Sequence, residues 1–216
     1  MLGRRRKSRP GVEVWLCDPG RGHEKVRISH DESKPIKVRG VSATPSIILS
    51  MIVKNESRII ERCLDAALPF VDAFVIVDTG STDGTIELIK KTAAKYSVRG
   101  SVFEDNWVNF GHNRSRAAKL THDYAKKRSF ELDRTYMLCL DADMVLRDVG
   151  FKRTDLRLPS YALEQRCGDM RWANTRLCRL DHEWIAVGVT HEFWRAFPGG
   201  TDRIRPDRGA KVEGDK

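Results

Sequence analysis

Apolar residues first gather into an unbroken run at Ser46 to Val53 (SIILSMIV), whose length and composition predict a buried β-strand. Glu56 to Ala67 follows with apolar positions at Ile59, Ile60, Cys63, Leu64 and Ala67, the spacing of one helix face. The unit then repeats. Ala73 to Val77 predicts a second strand, and Ser81, Thr82 and Asp83 stand as N-caps before a helix carried by Ile86, Leu88, Ile89 and Ala93. Val98 to Phe103 predicts a third strand, Asn113 to about Arg128 a third helix, and Tyr136 to Leu140 a fourth strand ending in Asp141. Strands without alternation, separated by helices, imply a mainly parallel central sheet with helices on both faces, an α/β fold. Beyond Asp143 the pattern changes: Tyr161 to Arg166, Thr175 to Leu180 and Trp184 to Val189 predict shorter, mixed strands, and no long helix is expected there.

The ends of the chain read differently from its middle. Residues 1–44 mix Gly, Pro, Lys and Arg around one short apolar patch, Val12 to Leu16, and predict a basic, loosely attached extension. The folded domain is expected over residues 45–196, with 197–216 a polar tail that stops without further helices, as a truncated form would. Of the formal charge of +9, residues 1–44 carry a surplus of six, eleven Lys and Arg against five Asp and Glu. A run such as Arg4, Arg5, Arg6, Lys7 and Arg9 suits anionic partners, but a solvated tail is the simpler reading. The sheet offers no aromatic RNA-binding signature, so no nucleic-acid partner is expected. Contact of the basic end with an anionic membrane surface would be peripheral and weak. No apolar run approaches the roughly 20 residues of a membrane span, and the amino terminus lacks a secretory signal, so a cytoplasmic location is expected. Five cysteines, an odd number scattered without CxxC spacing, predict reduced thiols and no zinc site.

Ligands of open α/β sheets bind beyond the carboxyl ends of the strands, which makes the polar residues there the candidates for chemistry. After the fourth strand, LDAD sets Asp141 and Asp143 two residues apart, where a hard dication bound to a diphosphate would sit. After the second strand comes VDTGSTDGT. Asp78 there is placed to accept hydrogen bonds from a base or ribose and Gly80 permits a tight turn, though the same residues also read as a capped turn. Asn113 and Arg114 fall at an expected helix start, suited to binding phosphate or positioning carboxylates. Asp105, Asn106 and Trp107 end the third strand, with Trp107 either a sugar platform or a core residue.

Taken together and in this order, SMIVKNE, IVDTGSTDGT and LCLDADM strongly resemble the family 2 glycosyltransferases of the GT-A fold. The resemblance covers roughly Pro45 to Trp194 and includes WVNFGHNRSRAA and GVTHEFW, which look like one branch of that family. It implies a Rossmann-like GT-A domain that moves a sugar from a nucleoside-diphosphate sugar to an acceptor hydroxyl, usually with inversion. The donor nucleotide would then lie on Val53, Asn55, Glu56, Asp78, Gly80, Ser81, Asn113, Arg114, Asp141 and Ala142. Within that set Asp78 would meet the base, Glu56 the nucleoside and Asp141 the ribose and metal side. Asp143 would hold the metal directly, Mn2+ or Mg2+, and His191 is placed to complete its shell. An imidazole ligand would tilt the choice toward Mn2+, while a histidine satisfied within its loop is the alternative. Candidates for the base that takes the acceptor proton are Glu192, Glu164 and Asp169, with Glu192 favoured because it adjoins His191. A UDP-sugar is the favoured donor, and the acceptor is not legible. The alternatives are a truncated or degenerate nucleotide-sugar-binding domain without turnover and a basic nucleic-acid-binding module. A nucleotidylyltransferase would need a Gly-rich basic loop after the first strand, which SMIVKNES lacks.

Overall fold

The computed structural model describes residues 12–17, 44–149, 151–188 and 193–196. In chain order its strands are β1 (Val12–Cys17), β2 (Ser46–Val53), β3 (Ala73–Asp78), β4 (Arg99–Glu104), β5 (Thr135–Cys139), β6 (Met144–Val149), β7 (Ser160–Cys167), β8 (Met170–Arg179), β9 (Trp184–Val187) and β10 (Phe193–Ala196). Helices α1 (Ile60–Ala67), α2 (Thr85–Lys95) and α3 (Phe110–Lys127) separate the early strands. Eight strands share one sheet in the order β4-β3-β2-β5-β8-β7-β1-β6, and β9 and β10 form a separate antiparallel ribbon. The first four of that order are parallel, as their apolar pattern predicts. From β5 outward β8, β7 and β1 pair antiparallel, and β6 closes the sheet parallel to β1.

The apolar runs place the helices. In α1 the buried residues are Ile60, Cys63, Leu64 and Ala67, a single stripe that packs with Ile47, Leu49, Met51 and Val53 of β2 and Ile76 of β3. Ala118, Tyr124 and Ala125 of α3 pack on the opposite face, against Ile48, Val75, Met137 and Cys139. Each fully buried large aliphatic in these layers stabilises by roughly 2 kcal/mol relative to exposure. Because β3 and β4 lie to one side of β2 and β5 to the other, the strand order reverses between β2 and β5, and a crevice opens at their carboxyl ends. No helix among the described residues is long and apolar enough to cross a membrane.

Several boundaries differ from expectation, each for a local reason. Helix α1 starts at Ile60 and not at Glu56, because the Glu56 and Ser57 N–H groups are drawn sideways to Thr85 Oγ1 (2.8 Å) and Asp83 Oδ2 (3.1 Å). Helix α2 begins after Gly84, whose φ is 82°, so Ser81, Thr82 and Asp83 precede the cap position; Asp83 Oδ1 still accepts the Thr85 N–H at 3.2 Å. Helix α3 begins at Phe110, three residues early, since Asn109 accepts the His112 N–H at 2.8 Å and caps it. Within the stretch read as a loose extension, Val12–Cys17 is strand β1, paired between β6 and β7. Residues 1–11, 18–43 and 197–216 lie outside the described residues.

Candidate functional site

The loops that follow β2 and β3 brace each other at the carboxyl edge. Asn55, at φ 55°, donates its N–H to Ser81 Oγ (2.8 Å) and accepts the Thr82 N–H on Oδ1 (2.8 Å). Asp83 accepts the Thr85 hydroxyl (2.6 Å), and these bonds from Thr85 and Ser57 hold its carboxyl down at about 2. Asn55 and Ser81, both expected on the donor nucleotide, thus meet each other, and Val53 O accepts the Thr79 N–H (2.9 Å) below them. Asp78 is buried, 2 % exposed, and its Oδ2 accepts the N–H groups of Gly80 (3.0 Å) and Ser81 (2.8 Å). Gly80 turns the chain with φ 99°, which a side chain would strain. Asp78 Oδ1 is buried with no hydrogen-bond partner among the described residues.

Across β2 the chain leaves β5 through the turn Asp141-Ala142-Asp143, closed by the Met144 N–H to Asp141 O at 3.0 Å. Ala142 is buried beneath it. Arg114, on the first turns of α3, reaches Asp141 Oδ1 at 2.6 Å, and Arg176 of β8 approaches Asp141 Oδ2 at 3.4 Å. Arg62 of α1 donates to the Asp143 carbonyl at 3.3 Å. Desolvation, then the charges of Asp143, Asp83 and Asp141, push the Glu56 carboxyl above its usual range. Desolvation, then the Asp141 charge, raises Asp143 as well. Burial, followed by those two aspartates, pushes the Cys63 thiol up to about 12, with its Sγ 3.5 Å from Asp141 O. The structure therefore gathers Glu56, Asp141 and Asp143 at the switch point, with Asp78 on the strand beyond.

Asn113 takes a role different from phosphate binding in this structure. Fully buried, it accepts the Val108 N–H on Oδ1 (2.9 Å) and donates Nδ2 to Asn106 O (2.9 Å), bracketing the loop after β4. That loop presents Trp107 (42 % exposed) and Phe110 (45 % exposed), stacked edge to face at 4.8 Å, so Trp107 is not a core residue. The Arg114 guanidinium lies 5.8 Å from the Phe110 ring, which ties this aromatic rim to Asp141.

Of the candidate bases, Glu164 sits on β7 with its carboxylate engaged by the Arg166 guanidinium. Asp169 is exposed at the β7–β8 turn. Leu177 pairs with Leu138, so the strand rise carries Asp169 on the order of 15 Å beyond Asp141. Glu192 and His191 lie outside the described residues. They fall between β9 and β10, and β9 is seated on α3: the Ala186 N–H donates to Ser115 Oγ at 2.9 Å. Arg62, Arg176 and Gln165, which accepts Arg176 Nη2 at 3.0 Å, were not foreseen from sequence. Arg176 carried no signal, because it falls where the regular apolar pattern has ended.

The model of the family described as Glycosyl transferase family 2 matches residues 48–150, the stretch from within β2 to the end of β6 with both aspartates of the turn. A glycosyltransferase, SunS, of Bacillus subtilis (strain 168) is 25 % identical over 164 residues, covering 70 % of this chain and 35 % of the relative. SunS of Bacillus phage SPbeta matches to the same extent. The chain thus spans about a third of the length of the curated relatives it matches. Among solved structures, a mannosyltransferase of Pyrobaculum calidifontis in complex with GDP-Man and Mn2+ is 22 % identical, with a TM-score of 0.36, over 51 % of this chain and 31 % of that one. TarS of S. aureus in complex with UDP is 20 % identical, with a TM-score of 0.35, over 45 % and 27 %. Over residues 48–150 this chain is therefore similar to the family 2 glycosyltransferases.

Proposed function

We propose that this domain transfers a sugar from a nucleoside-diphosphate sugar, with a UDP-sugar favoured, to an acceptor hydroxyl, with inversion at the transferred carbon. The observation that carries the reading is the convergence of Glu56, Asp141 and Asp143 at the β2/β5 switch point, close enough that the two aspartates raise the Glu56 carboxyl. A buried carboxylate oxygen without a donor is costly, and Asp78 Oδ1 meets none among the described residues. The imide N–H of a uracil is a donor suited to it. Asp78 and Asp141 flank β2 on either side, two strand spacings or roughly 10 Å apart, so a nucleotide lying across β2 spans them.

The donor set decides how a metal would be held. Among the described residues no group of three or more His, Cys, Asp or Glu side chains is arranged to hold an ion unaided. A carboxylate pair supplemented by diphosphate oxygens is, however, a donor set that Mg2+ and Mn2+ accept. Asp141 and Asp143 therefore fit a dication brought in with the diphosphate, and His191 is the further ligand in this reading. When bound, such an ion stabilises the charge that develops on the departing diphosphate. Arg114 adds a fixed guanidinium beside Asp141, at the amino-terminal end of α3, where the helix dipole also favours an anion. Trp107 and Phe110 would form the rim over which the sugar or acceptor lies. Glu192 is the preferred base, since Glu164 is engaged by Arg166 and Asp169 stands at the hairpin tip.

Calorimetric titration of UDP, GDP and other nucleoside diphosphates, with and without Mn2+, on the wild type and on Asp143→Ala tests the reading. Metal-dependent binding of one nucleotide that the variant loses supports it and identifies the base. No binding of any nucleotide to folded wild-type protein overturns it.

A further inference from the structure

Strands β7 and β8 pair residue for residue except at one place. Tyr161 faces Leu177 and Ala162 faces Thr175, so Arg176 has no opposite number on β7. This is a β-bulge, a device that re-aims a side chain and recurs beside active sites. Here it presents Arg176 to the carboxyl end of β5. The Arg176 side chain is 11 % exposed and anchored by one arm, Nη2 to Oε1 of Gln165 at 3.0 Å, Gln165 itself being buried. The other arm is under-committed: among the described residues Nη1 makes only long contacts, to Asp141 Oδ2 at 3.4 Å and to Cys139 O at 3.5 Å. Arg114 holds the other oxygen of Asp141 at 2.6 Å. The two carboxylate oxygens are therefore unequal, and Oδ2 is the one that opens at lower cost.

Charge balance gives this asymmetry a purpose. Glu56, Asp141 and Asp143 stand together, and the guanidiniums of Arg114 and Arg176 are turned to Asp141, so a diphosphate entering alone meets carboxylates at close range. A dication entering alone must displace a guanidinium from Asp141. Entering together, each removes the other's obstacle.

Building on the reading under Proposed function, we propose that Arg176 is an exchangeable counter-ion. It holds Asp141 Oδ2 until the donor arrives, then yields that oxygen to the dication and turns Nη1, about its Gln165 anchor, to the donor diphosphate. Metal and nucleotide binding are thereby coupled through one side chain, and the coupling is reciprocal.

The test is a calorimetric matrix of Mn2+ alone, UDP alone and UDP with Mn2+, run on the wild type and on Arg176→Gln, with thermal melts to establish folding. In the wild type each ligand is expected to tighten the other by roughly fifty-fold, within the usual range for coupled sites. In Arg176→Gln, Mn2+ alone binds roughly tenfold more tightly, while UDP in the presence of Mn2+ binds roughly tenfold more weakly. A residue that only supported the fold would weaken both. If Mn2+ alone binds Arg176→Gln no more tightly than wild type, Arg176 does not compete with the ion and the proposal is overturned. Should the Gln variant not fold, Arg176→Lys carries the same test: its strongly hydrated point charge lacks the planar fork, so Mn2+ alone should bind roughly threefold more tightly, and unchanged affinity overturns the proposal. Failure of wild type to bind UDP or any other nucleoside diphosphate with Mn2+ sinks the donor reading, yet the comparison of Mn2+ alone still decides whether Arg176 competes.

Discussion

At Asp78 one carboxylate serves two needs: Oδ2 accepts the Gly80 and Ser81 N–H groups, and Oδ1 faces no donor among the described residues. An amide has one acceptor oxygen, so Asp78→Asn can hold the turn or meet a nucleotide base, but not both. We expect Asp78→Asn to lose roughly 1 kcal/mol of stability or less and to bind nucleotide at least tenfold more weakly, while Asp78→Ala loses a further 1–2 kcal/mol, roughly the cost of stranding the two N–H groups. Nucleotide affinity in the Asn variant equal to wild type would leave Asp78 as a turn cap alone. At Cys63 the prediction is chemical inertness. With its thiol pushed up to about 12, the reactive thiolate at pH 8 is on the order of one part in ten thousand. Among the four cysteines whose side chains are described, iodoacetamide at pH 8 should therefore label the half-buried Cys167 first and spare Cys63, as read by mass spectrometry. Residues such as Asp78, Asp141 and Asp143 were legible as candidates because each closes an apolar run. Arg176 and Gln165 were not, since their meeting depends on a bulge between strands paired only in the fold. Asn113 was legible as a polar residue near a helix start, but its burial and its grip on Asn106 and Val108 follow from Asn109 taking the cap.

Among the elements, the paired loops after β2 and β3 make an acid-sensitive brace. Asp83 is held down at about 2 by the Thr85 and Ser57 bonds, below its ordinary value of about 3.9, so its contribution is complete above about pH 4 and is lost as pH falls toward 2. The gap in Tm between the wild type and Asp83→Asn should hold steady from pH 7 to about 5 and close between about 4 and 2. A gap that persists at pH 2 would mean that the charge of Asp83 contributes nothing to the brace. The seating of β9 on α3 rests on Gly111, where a Cβ would lie 2.8 Å from Gly188 O and 3.2 Å from Ala186 O. Helix propensity alone favours Ala over Gly by roughly 1 kcal/mol. The obstacle here is backbone, which cannot turn aside, so Gly111→Ala should destabilise by roughly 1–3 kcal/mol, with Tm as the readout. A stabilised variant would show that β9 is free to move off the helix. The strands β2, β3 and β5 could be read from sequence because each is a largely apolar run buried on both faces. Met144–Val149 could not, because its MVLRDV pattern gains a partner only when β1 is laid beside it.

For the molecule as a whole, the sheet has two unlike halves. The parallel half β4-β3-β2-β5 carries three helices and the carboxylates of Glu56, Asp78, Asp141 and Asp143. The far half is held by β1, which joins β6 along Val12–Cys17 and β7 along Glu13–Trp15. In the sheet β6 pairs with no strand other than β1 among the described residues, so removing β1 strands β6 and bares the inner edge of β7. Deleting residues 1–44, read from sequence as a basic, loosely attached extension, is then expected to lower Tm by several degrees and promote self-association through the open β7 edge, seen by size-exclusion chromatography. The parallel half does not depend on that pairing. If the deletion variant stays monomeric with an unchanged Tm, β1 is dispensable to the sheet. If it self-associates yet still binds nucleotide with Mn2+, the two halves are separable, with donor binding in the β2 to β5 core and the far half serving to keep the edge of β8, and with it Arg176, in register.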